Sequence, residues 1–460
     1  MPKKKTALTI EERLQQALVP AEEQPYEVPE NWVWVRLGSL LKEIKNGTTI
    51  KQDKSGNGFS VTRIESLQNQ TIDLMRVGTI LETEKIKETD WYKSGDITLS
   101  HINSIEHVGK TALITDAMLP LVHGMNLLRL RFFEIYTPDL FQLYSQTYQY
   151  KNEIRSRINM AVNQVSINQK QLSSLEIPLP PLSEQQRIVE HIEELFAKLD
   201  EAKERLQEVV DSFAVRKAAI LHKAFTGELT KQWRCENGVS DESWEEKTIG
   251  EICSSLKYGT SKKSSDDGEV VVLRMGNLQN GEIDWSNLAY TSDEEDIKKY
   301  LLKSGDVLFN RTNSPELVGK TSIYRGEMPA IYAGYLIKLD YEKNIVVGDY
   351  LNYYLNSSKA KEYYMQVKTD GVSQSNINAK KIGEFEIPLP TLPEQHEIVR
   401  LIDDLLARER AAQQATEQAL ASIDLMKKSI LARAFRGELG TNKASEASAL
   451  ELLRQVLAEN

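Results

Sequence analysis

Residues 177–189 read Ile177-Pro-Leu-Pro-Pro-Leu-Ser-Glu-Gln-Gln-Arg-Ile-Val, and residues 387–399 read Ile387-Pro-Leu-Pro-Thr-Leu-Pro-Glu-Gln-His-Glu-Ile-Val. The second segment repeats the first at an offset of 210 residues (387 − 177). The same offset relates Lys223-Ala-Phe-Thr-Gly-Glu-Leu to Arg433-Ala-Phe-Arg-Gly-Glu-Leu. Self-similarity at a fixed interval marks a duplicated structural unit. The sequence therefore predicts a tandem duplication of one module.

Each proline-rich segment is followed by the pattern of a long helix. The prolines block an earlier helix start, and Ser183 with Gln186 has the pattern of a capping box. Apolar residues then recur at alternating intervals of four and three, which is a heptad seam, until Gly227 offers a C-terminal stop. About 40 residues at about 1.5 Å each make a rod of about 60 Å. The first seam comprises Ile188, Ile192, Leu195, Leu199, Leu206, Val209 and Phe213, and the second comprises Ile398, Ile402, Leu405, Ile423, Met426 and Ile430.

Two such helices can belong to the core of a single domain or act as spacers between globular modules. Their length favours spacers, and the simplest pairing is antiparallel. We therefore expect an α+β (mixed α/β) protein in which two similar globular domains and two long antiparallel helices form a pseudo-two-fold dumbbell. Within the modules, the patterns predict short strands with turns, and helices around 138–158 and 348–368. The expected organisation is an N-terminal segment with a short helix (1–30), a first globular domain (31–180), a central helical spacer (181–240), a second globular domain (241–390), a C-terminal helical spacer (391–440) and a C-terminal helix (441–460). The two terminal helices would pack on the rod or on a partner.

The composition restricts the class of protein. The 57 Lys and Arg residues against 67 Asp and Glu residues leave a net charge of −10, which argues against a generic polybasic nucleic-acid binder. Two cysteines, Cys235 and Cys253, argue against a disulfide framework and fit the reducing cytoplasm. No stretch approaches about 18 consecutive apolar residues, so we expect no membrane span.

Searches for catalytic motifs fail. The Gly-Lys-Thr at 109–111 and again at 319–321 lacks the glycine that a phosphate-binding loop needs five residues earlier, where Ser104 and Ser314 stand. No glycine-rich cofactor loop or Asp/Asn-Pro-Pro-aromatic tetrapeptide of a methyltransferase is present. The six histidines show no metal-ligand spacing, and the cysteines form no Cys-x-x-Cys pair. We therefore expect no catalytic residue, no metal and no bound cofactor in this chain.

The repeated Pro-Leu-Pro-x-Leu-x-Glu-Gln segment, the two long helices and the two divergent modules together resemble the specificity (S) subunit of type I restriction-modification systems, the HsdS family. The resemblance covers nearly the whole chain and is most specific at 177–192, 223–229, 387–402 and 433–439. It implies that each globular module is a target recognition domain for one half of a bipartite, asymmetric double-stranded DNA site. The helices would fix the gap between the halves.

The resemblance also implies partners. Two modification (M) subunits would bring S-adenosylmethionine and methylate adenine N6, and two restriction (R) subunits would add ATP- and Mg²⁺-dependent translocation and cleavage. The chain itself would be non-catalytic. A duplicated protein-binding adaptor, or the DNA-specificity subunit of a related methylation-only system, are the alternatives.

Candidate DNA-contacting residues follow from their chemistry, because Arg, Asn, Gln and Lys read base edges and Lys also meets phosphates. The alternative for each is a solvated loop residue. The candidates are Lys45, Arg63, Gln68, Asn69, His101, Asn103 and Lys110 in the first module, and Lys257, Arg274, Asn277, Gln279, Arg311, Asn313, Ser314 and Lys320 in the second.

The M-subunit interface is expected on the segments that the family shares. The alternative for these residues is helix capping. The candidates are Leu182, Glu184, Gln185, Leu392, Glu394 and Gln395, together with the outer faces of the rod.

Charge is distributed unevenly between the modules. Residues 31–180 carry 17 basic and 15 acidic residues, whereas residues 241–390 carry 18 and 24. We therefore expect the isolated chain to bind DNA weakly and with strong salt dependence, and to bind more tightly with M subunits.

Overall fold

The computed structural model describes residues 9–53, 57–161, 164–372 and 374–459, and these form two compact units. The first unit comprises Met1–Arg205 and Ala419–Asn460, and the second comprises Leu206–Gln418. Both long helices therefore contribute to both units.

In its described residues, the first half of the chain has five α-helices and thirteen short strands. The helices are α1 (Ile10–Ala17), α2 (Pro138–Tyr144), α3 (Tyr148–Arg157), α4 (Gln169–Ser173) and α5 (Leu182–Phe225). The strands are β1 (Val33–Arg36), β2 (Leu41–Asn46), β3 (Phe59–Val61), β4 (Leu67–Gln68), β5 (Thr71–Ile72), β6 (Gly78–Ile80), β7 (Ile97–Ser100), β8 (Ile102–Asn103), β9 (Thr111–Leu113), β10 (Leu127–Phe132), β11 (Asn159–Ala161), β12 (Gln164–Ser166) and β13 (Glu176–Leu179).

The second half repeats this order with local differences. Its helices are α6 (Lys231–Asn237), α7 (Ile249–Ile252), α8 (Glu294–Tyr300), α9 (Gly348–Leu355), α10 (Ser358–Val367), α11 (Ala379–Gly383), α12 (Leu392–Ala434) and α13 (Ala449–Glu459). Its strands are β14 (Glu245–Thr248), β15 (Cys253–Tyr258), β16 (Val270–Leu273), β17 (Leu278–Gln279), β18 (Glu282–Ile283), β19 (Tyr290–Thr291), β20 (Val307–Asn310), β21 (Thr312–Asn313), β22 (Thr321–Ile323), β23 (Ala330–Tyr332), β24 (Leu336–Tyr341), β25 (Thr369–Asp370), β26 (Ser375–Asn376) and β27 (Glu386–Leu389).

Several sheets occur in equivalent form in both units. A four-stranded antiparallel sheet has the order β2-β10-β7-β9 in the first unit and β15-β24-β20-β22 in the second. A small three-stranded sheet has the order β11-β12-β8 in the first and β21-β26-β25 in the second. The strand before each long helix pairs with an early strand, β13 with β1 and β27 with β14. The expected mixed α/β class, the two repeated domains and the long helices are thus confirmed.

The helices predicted inside the modules are present, but each is interrupted. The region 138–158 forms α2 and α3, and 348–368 forms α9 and α10. Thr147 and Ser357 cap the second helix of each pair through their side-chain oxygens. These caps explain the break that apolar spacing alone did not reveal.

The long helices run antiparallel within each unit. In the first unit, Lys427 Nζ lies 2.6 Å from Asp200, while Lys203 Nζ lies 3.2 Å from Asp424. One residue number rises as the other falls, as antiparallel packing requires. In the second unit, Arg216 of α5 pairs with Glu409 of α12 at 2.9 Å.

Two predicted seam positions are wrong. Val209 is 38% exposed and Met426 is 50% exposed, whereas the neighbouring Val210 and Lys427 are partly buried. The buried apolar positions of α5 lie at its two ends and at Phe213, and the span from Ile188 to Ala224 (224 − 188 = 36) equals ten turns of about 3.6 residues. A heptad pattern drifts by about 20° per repeat on a straight helix, so it misplaces the later positions.

The capping box predicted at Ser183 is also wrong. The helix α5 begins at Leu182, and its first turn is closed by amides of Glu184 and Gln185 that donate to the Pro181 carbonyl. Ser183 therefore lies inside the first turn. Proline at the start of a helix removes no needed donor, so Pro181 can end the extended segment without a side-chain cap.

The terminal helices α1 and α13 pack against each other and against the core of the first unit. Leu14 and Leu453 are buried in the same apolar cluster as Ile188 of α5. Arg13 Nη1 donates to the Leu457 carbonyl at 3.2 Å. No helix in the part of the chain that the structure describes is long and apolar enough to cross a membrane.

Candidate functional site

The repeated glutamine at the start of each long helix clamps three backbone groups. Gln185 Oε1 accepts from the Thr137 amide at 2.9 Å, and its Nε2 donates to the carbonyls of Ile135 at 2.8 Å and Pro180 at 3.0 Å. Because a carboxamide both accepts and donates, only Asn or Gln could satisfy this set, and Gln has the reach.

Gln395 makes the same three contacts in the second unit. Its Oε1 accepts from the Val347 amide at 2.8 Å, and its Nε2 donates to the carbonyls of Ile345 at 3.0 Å and Pro390 at 2.8 Å. The repetition of all three bonds explains why the glutamine recurs at the offset of 210 residues.

The glutamate before each glutamine is also buried. Glu184 accepts from Trp32 Nε1 at 2.7 Å, Asn442 Nδ2 at 2.8 Å and Thr441 Oγ1 at 3.2 Å. Since a buried carboxylate is costly unless its oxygens are hydrogen-bonded, these donors make the position tolerable.

The second glutamate is held differently. Glu394 Oε1 accepts from Thr230 Oγ1 and from Arg234 Nη1, both at 2.7 Å. Arg234 is itself 7% exposed and also donates to Asp241 at 2.8 Å. The second unit therefore uses a buried ion pair where the first uses neutral donors.

These contacts bear on the expected M-subunit interface. Four of its six candidates are fully buried and bonded to other segments of the chain, so their side chains form neither an exposed interface nor a cap on the first turn of the long helix. Leu182 is 43% exposed and Leu392 is partly exposed. The buried candidates are Glu184, Gln185, Glu394 and Gln395.

In the first unit, candidates His101 and Asn103 lie where β7 passes into β8. Asn103 Nδ2 donates to Ser100 Oγ at 3.0 Å, and its Oδ1 accepts from the Ser104 amide at 2.8 Å. Burial lowers the pKa of His101, so its ring is neutral near pH 7, and the ring is hydrogen-bonded to the Asn126 backbone. His101 Nδ1 is buried without a partner among the described residues.

Some of the other candidates in the first unit are bonded to neighbouring groups, and others are exposed. Lys45 Nζ donates to the Thr89 carbonyl at 2.9 Å, and Arg63 pairs with Glu65 at 2.9 Å. Gln68 Nε2 donates to the Glu65 carbonyl at 3.0 Å. Asn69 forms the exposed turn between β4 and β5 with a φ of 44°, a conformation that asparagine tolerates. Lys110 is exposed and forms no ion pair with a described residue.

In the second unit, Arg311 is the most elaborately positioned candidate. Its guanidinium lies 4.7 Å from the centre of the Tyr258 ring, and Nη2 donates to Asn376 Oδ1 at 3.1 Å. Asn313 Oδ1 accepts from the Ser314 amide at 2.9 Å, at the turn that follows β21. Stacking and a hydrogen bond fix the guanidinium plane, which is what bidentate recognition of a base edge needs.

One candidate of the second unit is contradicted. Asn277 is 3% exposed, and its amide group donates to the carbonyls of Asp284 at 2.9 Å and Ser286 at 3.1 Å. Its Oδ1 accepts from the Arg274 amide at 2.9 Å. Asn277 thus closes a turn, and its side chain has no free edge to offer to a base.

The remaining candidates of the second unit are held by neighbours. Arg274 Nη2 donates to the Asn287 carbonyl at 2.6 Å, and Lys320 Nζ donates to Gln279 Oε1 at 2.9 Å. Lys257 pairs with Asp340 at 2.8 Å and is 61% exposed.

Sequence reasoning missed the aromatic and helical neighbours of these candidates. Tyr258 and Asn376 were not chosen, although both support Arg311. Lys151 and Arg155, one helical turn apart on α3, were also missed. A basic pair at four-residue spacing within the predicted helix 138–158 was the available signal.

The described residues contain no group of three or more His, Cys, Asp or Glu side chains arranged to hold a metal ion.

Known protein families match each of the two repeated halves of the chain. The family model described as "Type I restriction modification DNA specificity domain" matches residues 29–211 and again residues 241–420. The chain is 33% identical over 419 residues to a Methanocaldococcus jannaschii protein assigned as the type I restriction enzyme MjaX specificity subunit, covering 86% of this chain and 92% of that protein. It is 27% identical to the type I restriction enzyme EcoKI specificity subunit of Escherichia coli, covering 94% and 96% of the two chains.

The fold is similar to that of a solved protein. The crystal structure of the HsdS subunit from Thermoanaerobacter tengcongensis has a TM-score of 0.64 and 20% identity, covering 91% of this chain and all of that one. This likeness concerns the fold. Because the family model matches both halves of the chain, the chain belongs to the family of type I restriction-modification DNA specificity subunits.

Proposed function

We propose that this chain is the DNA-recognition subunit of a type I restriction-modification complex, in which each globular domain reads one half of an asymmetric bipartite site. The observation that carries the proposal is a matched scaffold with unlike side chains. After the equivalent strands β7 and β20, His101 stands in one domain where Arg311 stands in the other. A neutral imidazole and a stacked guanidinium prefer different base edges, so the two half-sites should differ.

The long helices would set the gap between the half-sites. Half-site spacing in a pseudo-symmetric DNA-binding protein is a consequence of protein geometry. Lengthening both helices by seven residues adds about 10 Å, which corresponds to about three base pairs.

The chemistry would be carried out by partner subunits. Two M subunits would bring S-adenosylmethionine and methylate adenine N6, and two R subunits would add ATP- and Mg²⁺-dependent cleavage. Relatives of this chain are named as specificity subunits of type I restriction enzymes, which supports these partners. The exposed Leu182 and the outer helix faces are the surfaces left for M-subunit docking once the buried glutamates and glutamines are set aside.

The test is co-expression with an M subunit encoded beside the same gene, followed by genome-wide sequencing of methylated adenine. We expect one bipartite motif with two different halves. The variant Arg311→Ala should relax or abolish one half only, whereas the control Arg325→Ala, whose side chain pairs with Glu282 at 2.8 Å, should leave the motif unchanged. A methylome without any bipartite motif would refute the proposal.

The chain alone and its complex with M subunits should differ in their affinity for DNA. The net charge of −10 implies few unopposed phosphate contacts, so we expect the isolated chain to bind duplex DNA weakly and with strong salt dependence. Addition of M subunits should tighten binding, as fluorescence anisotropy would measure. A tight, sequence-specific complex of the isolated chain would contradict this expectation.

A further inference from the structure

A cavity of about 300 Å³ in the first unit is lined by three cationic side chains. Lys110 comes from the turn before β9, and Lys151 and Arg155 come from α3. The rim includes Asn69, in the exposed turn between β4 and β5. This volume is at the lower end of the range for small-molecule sites, about 300–1,000 Å³.

The positive charges at this cavity are not compensated within the described residues. None of the three cations forms an ion pair or a side-chain hydrogen bond there, and Glu106 is the one acidic side chain in the lining. Lys428 of α12 adds a fourth charge nearby. Desolvation, followed by the charges of Lys428 and Arg155, lowers the pKa of Lys151. Like charges gathered in this way favour an anion between them.

The equivalent region of the second unit is built differently. There Lys320, the counterpart of Lys110, donates to Gln279 at 2.9 Å. Met365 stands in the position of Arg155, and Tyr364 in that of Ile154. The Tyr364 ring packs against Gly319, where an added Cβ would lie 2.3 Å from a ring carbon. Two of the three cations therefore recur in the second unit, Lys110 as Lys320 and Lys151 as Lys361, whereas Arg155 has no basic counterpart there.

We propose that this cavity binds a backbone phosphate of DNA held by the first domain. The inference rests on the proposed function, and it adds Lys151 and Arg155 to the residues that contact DNA. Phosphate oxygens are the anions that several Lys and Arg side chains converge on, and a cavity open at a recognition turn admits a strand as well as a free ion. A free nucleotide has the same phosphate chemistry and is the alternative source that the experiment must separate.

The experiment measures how DNA affinity depends on salt, using the full chain and a 40-base-pair duplex of arbitrary sequence. Each lost phosphate contact lowers the slope of log K against log[salt] by about 0.9. The double variant Lys151→Met/Arg155→Met should lower the slope by about 1 to 2. Arg155→Met imports the residue that the second domain already carries at that position, so a folded variant is expected.

The matched control is Lys170→Met, an exposed lysine of α4 in the same unit without an ion pair in the described part of the chain. It removes one positive charge outside the cavity and should change the slope little. A double variant with the slope of the control would overturn the proposal.

A second arm separates the sources of phosphate. Thermal unfolding is followed with adenosine monophosphate or inorganic phosphate at constant ionic strength. If these ions stabilise the wild-type chain but the DNA salt slope of the double variant is unchanged, the cavity is a free-nucleotide site and the DNA proposal is overturned. If the wild-type chain and its M complex bind no DNA, the proposed function itself fails, whatever the phosphate result.

Discussion

Replacing Gln185 by alanine should loosen the connection between the first domain and α5. The side chain is fully buried and bonds three backbone groups, the Thr137 amide and the carbonyls of Ile135 and Pro180. Alanine leaves all three without a partner in a dry site. Each buried unsatisfied group costs about 1–3 kcal/mol, so we expect a loss of about 3–6 kcal/mol if water enters only partly.

The assay is hydrogen exchange of backbone amides, read by mass spectrometry in the peptide that contains Thr137. A local loss of about 3 kcal/mol raises the open population by more than 100-fold, since each 1.4 kcal/mol is a factor of about ten. The control is Gln395→Ala, which removes the same three bonds in the second unit. It should expose the Val347 amide and leave Thr137 protected.

The variant Gln185→Glu tests the donor half of the clamp. A carboxylate there still accepts from the Thr137 amide, but its second oxygen faces the carbonyls of Ile135 and Pro180. Burial and those oxygens would raise its folded pKa above the unfolded value of about 4.3. The destabilisation is therefore largest above the folded pKa and shrinks as the pH falls towards 4. Equal exchange of Thr137 in wild type and Gln185→Ala, or a Gln185→Glu variant insensitive to pH, would refute the clamp.

Three further outcomes follow from burial and charge. Asn277→Ala should cost about 2–4 kcal/mol in urea unfolding, because two carbonyls and one amide lose a buried partner; a cost below about 0.5 kcal/mol would contradict its structural role. Met426→Lys should be tolerated within about 0.5 kcal/mol, whereas Ile423→Lys, at a position only 4% exposed, should cost several; equal effects would restore the heptad assignment. Burial lowers the pKa of His123 to about 3, well below the unfolded value of about 6.5, so stability should fall as the pH drops below 6.5, by about 2 kcal/mol at pH 5. The variant His123→Gln should lack this component of the acid sensitivity, and a histidine that titrates near pH 6 in NMR spectra would contradict the burial.

The repeat made most of the architecture predictable. Two copies of one pattern constrain each other, so the helix after residue 181 and the helical region near 138–158 could be located from spacing alone, although the break within that region could not. The seam positions that were predicted wrongly depend on the helical period along the whole helix, which the local spacing of apolar residues does not determine. Val209 and Met426 were misplaced because a straight helix keeps a 3.6-residue period over its whole length.

The candidate site was predictable only in part. Residue type and turn context predict Arg311, Asn313 and Asn277 alike, and the first two stay predictions, whereas Asn277 is buried. The difference is tertiary: the loop 284–286 folds over Asn277 and supplies two carbonyls. The Glu-Gln pair at each helix start was expected at a partner interface because it lies in a segment that the family shares, and its burial depends on hydrogen-bond partners more than 40 residues away.

Those distant donors explain why the compact units are assembled from discontinuous segments. Glu184, at the start of α5, is satisfied by Thr441 and Asn442, which follow α12. Glu394, at the start of α12, accepts through Oε1 from Thr230 and Arg234, which follow α5. Each long helix can begin in a buried position only after the chain leaving the other helix has arrived. The two helices must therefore pair antiparallel for either buried carboxylate to be tolerated, so the repeated glutamate selects the helix pairing as well as the helix start.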